Sequence, residues 1–545
     1  MQTSKLTNRW TVSIVIHTLM SGCAATVAPG DGGTTADGGD CDGDGDGADG
    51  AHCGGDDCND EDAAVHPDAA EECNGKDDDC DGAADPGCPW TLTYGGPADE
   101  WGGRLAATPE GGAILAGSFT ATVDFDPGAG EDRRVASGES DAFVTRFAPS
   151  GEREWTFTFG GPSYDSVGSV IVDAAGAIVL CGQFSGAVDF DPGPSADTWT
   201  SADEWGDAFV LKLNADGTLA WTRVFGSSSG TDYAQAVALA PDGALLIAGA
   251  FSGTVDFNSG PPVDERTVTG SRALFVMRLL PDGAYGWTTT FGDTSWSDWT
   301  SPQDIAVTVQ GQVVVVGTFQ GTVDFYIGAG TDEHVGAGGN DVFVTFLRAE
   351  GAYDGTRTFG GAEDDFALRV VTADDGSSLI VGHFWASADF DPGPGETRRS
   401  PAGGVDAYIL KLDRWRMFAW VGTFGGEGDD FATDAAVLPD GSIVATGGLS
   451  ETADMDPGPA TSIETAAGGI DAFVTKLSTD GKYRYALPFG GQLSDWAGGI
   501  VRTPDGSFIV SGAFRGAADF DPGSGEDTRT SSGGNDTFVT RLSLR

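Results

Sequence analysis

Apolar and polar residues alternate along the chain in short runs, and the whole pattern recurs seven times with a period of about 65 residues. In the first unit the runs are Gly103–Thr108, Ala113–Phe119, Phe143–Phe147 and Glu154–Phe159. Alternation of period two predicts strands, and the Gly, Pro and Asp clusters between the runs predict turns. Three markers keep step with the period. An aromatic-Gly turn stands at Tyr94-Gly95, Phe159-Gly160, Phe225-Gly226, Phe291-Gly292, Phe359-Gly360, Phe424-Gly425 and Phe489-Gly490. A loop, mostly Asp-Phe-Asp-Pro-Gly, starts at Asp124, Asp189, Asp256, Asp324, Asp389, Asp454 and Asp519. A strand begins near Phe143, Phe209, Phe275, Phe343, Tyr408, Phe473 and Phe538.

Four strands per unit, repeated radially, predict an all-β fold: a seven-bladed β-propeller of four-stranded blades over residues 89–545. The last unit stops after its third strand, Phe538–Leu542, and a matching fourth strand lies at Trp90–Tyr94. The N-terminal strand is therefore expected to complete the last blade. Residues four apart on a strand share a face. The pairs Trp90/Tyr94, Trp155/Phe159, Trp221/Phe225, Trp287/Phe291, Trp420/Phe424 and Tyr485/Phe489 are thus expected to pack between blades, with Gly355 in the Trp position of one unit.

Charge and cysteine change the picture upstream. The chain carries 83 Asp and Glu against 29 Lys and Arg, a formal net charge of -54. Such a surface disfavours nucleic acid and anionic lipid, which need Lys/Arg patches. Residues 31–88 hold 20 of the acids and one base, Lys76. Six of the eight cysteines, Cys41, Cys53, Cys58, Cys73, Cys80 and Cys88, fall within this region. With no Cys-x-x-Cys knuckle for zinc, they are disulfide candidates of undetermined pairing. Cys181, in an apolar run, is expected to be a buried free thiol.

Before that region, Lys5 and Arg9 precede the apolar stretch Trp10–Met20 and then Ser21-Gly22-Cys23. The stretch is too short to span a bilayer and predicts a secretory signal over residues 1–23. Its end resembles a bacterial lipoprotein lipobox, which implies lipidation at Cys23 and an outer-membrane or cell-surface location; ordinary secretion is the alternative. Residues 24–39 read as a flexible linker.

Residues 40–88 contain Asp42-Gly43-Asp44-Gly45-Asp46-Gly47 and Asp77-Asp78-Asp79-Cys80-Asp81-Gly82. Carboxylates at alternate positions of a tight loop converge on one hard cation, so Asp42, Asp44, Asp46, Asp77, Asp79 and Asp81 are candidate Ca²⁺ ligands. Neither loop is a complete EF-hand, because Cys53 and Cys88 stand at the twelfth positions. The run from Asp57-Cys58-Asn59-Asp60 through Glu72-Cys73-Asn74-Gly75 to Asp81-Gly82 resembles the metal-binding motif of bacterial surface proteins of the methanotroph MopE kind, and more loosely thrombospondin type 3 repeats. A small irregular module held by disulfides and calcium is expected.

Residues 90–545 resemble the bacterial secreted β-propeller repeat family, carried by units such as Pro504-Asp505-Gly506-Ser507-Phe508-Ile509-Val510 and Asp471-Ala472-Phe473-Val474-Thr475-Lys476-Leu477. The resemblance implies a cell-surface propeller and no common activity. Gly226-Ser227-Ser228-Ser229-Gly230 matches a nucleophile elbow in letters only, since no strand-turn-helix surrounds it. No catalytic constellation is found, and no enzyme is expected.

One face of the propeller is expected to carry the Asp-Phe-Asp-Pro-Gly loops and a ring of acid-aromatic pairs: Glu100-Trp101, Asp232-Tyr233, Asp298-Trp299, Asp365-Phe366, Asp430-Phe431 and Asp495-Trp496. Both features serve turns and blade packing, or bind a cation or glycan. Trp101, Tyr233, Trp296, Trp299, Phe366, Phe431 and Trp496 are the candidate ligand residues, with the irregular units three and four favoured. The expected function is a monomeric surface binding or scaffold module for an extracellular protein or glycan, touching the membrane only through its lipid anchor. The rivals are a propeller hydrolase or lyase acting on polysaccharide, and a structural envelope component.

Overall fold

The computed structural model describes residues 58–59, 61–67, 80, 88–128, 130–268, 270–294, 299–326, 328, 330–523 and 525–542. They fall in two compact units, one containing residues 58–67 and 80, the other everything from 88 onward.

The larger unit is all β. Each of seven repeats contributes an innermost strand: Glu100–Ala107, Ser166–Val172, Tyr233–Leu239, Trp299–Val307, Asp365–Thr372, Phe431–Val437 and Trp496–Arg502. Each pairs antiparallel with the next strand in sequence, as Glu100–Ala107 does with Ala113–Phe119. The innermost strands touch one another in chain order, and the last touches the first. Seven apolar clusters fill the wedges, each drawing on two consecutive repeats; one joins Leu115 and Phe143 of repeat one to Ile509 and Val539 of repeat seven. The strand that repeat seven lacks comes from the far end of the chain: Trp90–Tyr94 lies antiparallel to Asp536–Leu542.

The hydrogen bonding corrects the expectation of seven separate blades. Five blades stand as discrete sheets, three of four strands and two of six. The strands of repeats five and six run together in one ten-stranded sheet. The cause lies in repeat six, where Ile443–Asp454 and Ile463–Leu477 stay paired on both sides of a bulge at Glu451 (φ 53°): Ser450 opposes Ile470 and Thr452 opposes Thr465. The extended strand also pairs with Gly425 and Gly426 of repeat five. In most other repeats the second strand ends before the loop, and its continuation forms a short ribbon such as Thr122–Asp124 with Arg133–Val135.

The expected aromatic spacing builds a latch between repeats. The ring of Trp221 lies over the turn glycine of the following repeat, so that a Cβ on Gly283 (φ 80°) would come within 2.8 Å of it. Trp90, Trp155, Trp287 and Trp420 lie likewise over Gly151, Gly217, Gly351 and Gly481. Where Gly355 replaces the tryptophan, Arg416 replaces the glycine. Its guanidinium fills the gap, donating to the Asp354 carbonyl at 2.6 Å and pairing with the Asp354 carboxylate. It also lies 4.8 Å above the Phe346 ring.

Candidate functional site

The Asp-Phe-Asp-Pro-Gly loop is a fold element. In all seven repeats the first Asp accepts two backbone N–H groups; Asp124 Oδ1 takes those of Asp126 at 3.1 Å and Asp132 at 2.8 Å. The same bonds form at Asp189, Asp256, Asp324, Asp389, Asp454 and Asp519. The next residue, Phe in six repeats and Met455 in the other, is buried in the inter-repeat core. The motif closes a loop onto its own backbone and drives an aromatic wedge into the core.

The acids of the acid-aromatic pairs are also turned inward. Asp165, Asp232, Asp430 and Asp495 each brace the aromatic-Gly turn to the end of the second strand; Asp495 accepts from Gly491 N at 2.7 Å and Arg515 N at 2.9 Å. Glu100 and Asp365 hold the turn amide alone, and Glu100 Oε1 and Asp365 Oδ1 are buried without a partner. Burial is the main cause of their raised pKa values, backbone N–H groups oppose it, and neighbouring carboxylates add to it. Glu100 is pushed up to about 8, Asp232, Asp365 and Asp495 to about 7, and Asp165 and Asp430 to about 6. These groups serve as braces and do not point at a ligand.

In repeat four the expected register is corrected. Thr300, opposite Phe319, occupies the place that Glu100, opposite Phe119, holds in repeat one. Trp299 therefore precedes the brace position instead of following it, and Ser301 stands where the aromatic was expected. The first acid of the preceding third strand is replaced as well: Ala273, opposite Phe251, stands where Asp141, opposite Phe119, stands in repeat one, and Arg272 precedes it. The seam between repeats three and four thus lacks both carboxyl groups.

The candidate aromatics separate into distinct environments. Tyr233 is half-buried, with its hydroxyl 3.2 Å from Ser301 Oγ and the Arg272 guanidinium 5.5 Å above its ring. Trp299 is 41% exposed. Phe366 and Phe431 meet around His383, at 5.3 and 6.4 Å between ring centroids, and Trp385 closes the group at 5.0 Å from His383. Trp385 is 42% exposed, whereas burial pushes His383 down to about 4 and leaves it neutral. His383, which as a lone histidine reads in sequence as a strand filler, and Trp385 join the group although both stand outside the acid-aromatic consensus. Trp496 lines a cavity in the channel mouth. Trp101 lies on its innermost strand, and Trp296 lies outside the described residues.

The ring of residues four positions after each brace was also missed. Strand register places Arg104, Ser169, Ala236, Asp304, Arg369, Asp434 and Gly499 at one level, each directly after a bulge. Arg369 Nε donates to Asp434 Oδ1 at 2.8 Å, and Arg369 lies 3.6 Å from Asp304. The carboxylates also accept the amides of Val370 and Ile500 from neighbouring repeats. Burial opposes charge on Arg369, yet Asp434 and Asp304 raise its pKa. Residue types that differ at one repeated position are the signal that marks this ring.

In the smaller unit, Cys58 and Cys80 form a disulfide, and the amides of Glu61 and Asp62 both donate to the Asn59 carbonyl in a tight turn. Cys88 is also disulfide-bonded. Asp42, Asp44, Asp46, Asp77, Asp79, Asp81, Cys23, Cys41, Cys53 and Cys73 lie outside the described residues. Among the described residues no group of three or more His, Cys, Asp or Glu is placed to hold a metal, and no helix is long and apolar enough to cross a membrane. Cys181 is a buried free thiol.

Residues 57–86 match the MopE-type copper-binding family model, whose description is "Putative metal-binding motif". No curated protein matches the chain. Among solved structures it is similar to Sqt1 from Chaetomium thermophilum, with 10% identity, a TM-score of 0.38, and coverage of 77% of this chain and 96% of that one. A protein of unknown function from Bacteroides caccae has 12% identity and a TM-score of 0.30, covering 64% of this chain and 89% of that one. The extracellular domain of BT4673 from B. thetaiotaomicron has 10% identity and a TM-score of 0.17, covering 82% of each chain.

Proposed function

We propose that this protein is a binding module of the bacterial cell surface, in which a metal-holding segment precedes a propeller that engages an extracellular protein or glycan. The observation that carries the reading is the aromatic group Phe366, His383, Trp385 and Phe431. Rings from two successive repeats converge there with Trp385 exposed, and the adjacent Asp430 is spent on a backbone brace. Rigid aromatic surface suits recognition by stacking. The one imidazole of the group is half-buried, and burial holds it neutral against the pull of Asp429, which favours a stacking surface over proton transfer.

The metal in this reading is Ca²⁺, with Asp42, Asp44, Asp46, Asp77, Asp79 and Asp81 as its ligands. The disulfide supports the choice. Copper prefers thiolate, thioether and imidazole donors. Cys58 and Cys80, inside the matched segment, are consumed by their mutual bond, and the carboxylate oxygens around them suit a hard cation. Anchoring through a lipid on Cys23 belongs to the same proposal, as does a monomeric state.

The test is a glycan array with a parallel pull-down from an extracellular extract, using the purified chain with and without Ca²⁺. Specific retention that W385A with F431A abolishes, at unchanged melting temperature, is the expected result. Retention indifferent to that pair would remove the aromatic group from the reading.

A further inference from the structure

We propose that the mouth of the central channel, at repeats seven, one and two, binds a carboxylate-bearing sugar, with Arg104 as the carboxylate receptor. The proposal rests on the reading of the propeller as a binding module and names its ligand class.

A cavity of about 340 Å³ opens there, lined by Arg104, Ser118, Tyr164, Ser166, Gln235 and Trp496 together with glycines of the innermost strands. That volume is at the low end for ligand pockets, which run from about 300 to 1,000 Å³, and suits one sugar unit. The lining contains no Asp or Glu, in a chain where acids outnumber bases 83 to 29. Its one ionic group is Arg104.

Arg104 and Arg369 sit at the same level of the same ring and are treated differently. Arg369 lies between Asp304 and Asp434 and pairs with both. The ring neighbours of Arg104 are Ser169 and Gly499, and among the described residues Arg104 makes no hydrogen bond or ion pair. Burial lowers its pKa, and the charge of Arg369 adds to that effect, while Asp304 and Asp434 act against it from a distance. Arg104 is half-buried and lines the cavity, so its guanidinium is held at the wall of the site with water as its partner. The fold gains nothing visible from placing one here. A ligand carboxylate would supply a charged partner in the bidentate geometry for which guanidinium is shaped.

The rest of the lining matches the other parts of an acidic sugar. Ser118, Ser166 and the Gln235 amide offer donors and acceptors to hydroxyls. Tyr164, 48% exposed, offers a ring face to the sugar's C–H surface, and Trp496 forms part of the wall. The bulges at Gly103 and Gly498 keep the floor open: a Cβ on Gly103 would meet nothing closer than the Gly498 Cα at 3.9 Å. The net negative charge of the whole protein does not forbid an anion here, because exposed charges are screened beyond about 8 Å at physiological salt.

Calorimetric titration of the full chain with D-glucuronate, D-glucose and acetate tests the proposal. Glucuronate is expected to bind at least tenfold more tightly than either of the others, since it alone combines carboxylate and hydroxyls. R104Q should lose that advantage. G103L should block binding at an unchanged melting temperature, because the site has room for a side chain only by filling the cavity. R399Q, which removes an exposed arginine elsewhere, should bind as the parent does. Equal affinity for glucose and glucuronate, no glucuronate binding, or R104Q binding as tightly as the parent would each overturn the proposal. The broader reading would survive any of these if an array or pull-down partner still depended on Trp385 and Phe431.

Discussion

Trp90 and Arg541, cross-strand partners from opposite ends of the propeller, donate to one acceptor. The indole N–H and the guanidinium reach the carbonyl of Pro149 in repeat one, at 3.0 and 2.8 Å. Arg541 is 1% exposed and also pairs with Asp505. Closure thus ties the terminal strand, the last repeat and the first repeat at a single point. A chain beginning at Gly95 should expose a sheet edge and an apolar wedge, and should aggregate or melt far below one beginning at Cys88. W90A should cost about 3 kcal/mol in denaturant unfolding. Equal stability of the two chains would contradict closure by pairing.

The tryptophan latch makes a contrast between two glycines. G283A places a methyl group within 2.8 Å of the Trp221 ring on a backbone at φ 80°, and should cost on the order of 2–3 kcal/mol. Gly260 has open space around it and an ordinary backbone, so G260A should stay within about 0.5 kcal/mol of the parent. Urea unfolding of the two variants decides the matter.

The braces give stability a pH dependence whose sign is fixed. Folded, Glu100 keeps its proton to about pH 8 and Asp232, Asp365 and Asp495 to about pH 7. Unfolded, such groups release protons near pH 4. Between those values the folded state holds more protons, so unfolding free energy falls as pH rises. The melting temperature should be higher at pH 5.5 than at pH 8. E100Q keeps an oxygen for the Gly96 amide and puts N–H groups where Oε1 has no partner, near the unpartnered Asp536 Oδ1. It should raise stability at pH 8 by about 1 kcal/mol and flatten the profile. A profile that rises toward pH 8 in the parent would refute this account.

For the acidic segment, Ca²⁺ should bind the oxidised chain in calorimetry, and D44A with D79A should abolish that binding. Copper should bind weakly until Cys58–Cys80 is reduced, because reduction returns soft donors to the segment. Tight copper binding by the oxidised chain would reverse the choice of metal.

Strand positions, the terminal strand's partner and the inter-repeat aromatics were legible because strand alternation and a fixed period act locally. The division into five discrete blades and one fused sheet was not. It depends on whether pairing persists across Glu451, a matter of backbone register that leaves no mark in residue type. The register of repeat four misled for a related reason: Asp298-Trp299 imitates the acid-aromatic pair, while the strand pairing gives the brace position to Thr300. The acids were visible as a ring, but their direction was not. A carboxylate bound to two amides and one open to solvent look alike in sequence, and burial alone separates Asp495 from an exposed ligand. Arg104 escaped notice because an isolated arginine on a strand carries no motif. Its meaning comes from Arg369, Asp304 and Asp434 at the same level several repeats away.

The ladders that join repeats are unevenly distributed around the ring. Paired strands cross from repeat three to four at Asp293–Asp324, from four to five at Gly360–Asp389, from five to six at Gly425–Asp454 and from six to seven at Gly490–Asp519. From seven through one and two to three, among the described residues, no such ladder crosses apart from a lone bridge between Ser140 and Tyr164; single backbone bonds do, from Glu100 N to the Asn535 carbonyl, Asp165 N to that of Ser140 and Asp232 N to that of Gly206. Paired strands thus join repeats three to seven in an arc, and a less extensively paired clasp completes the ring. Amides along the arc should exchange with solvent only on cooperative opening, while the clasp, with fewer backbone bonds to break, should open at lower cost. The cavity with Arg104 sits in the clasp, so a ligand that bridges its walls would act as a pin, and tension on the ring would be felt as a change in grip.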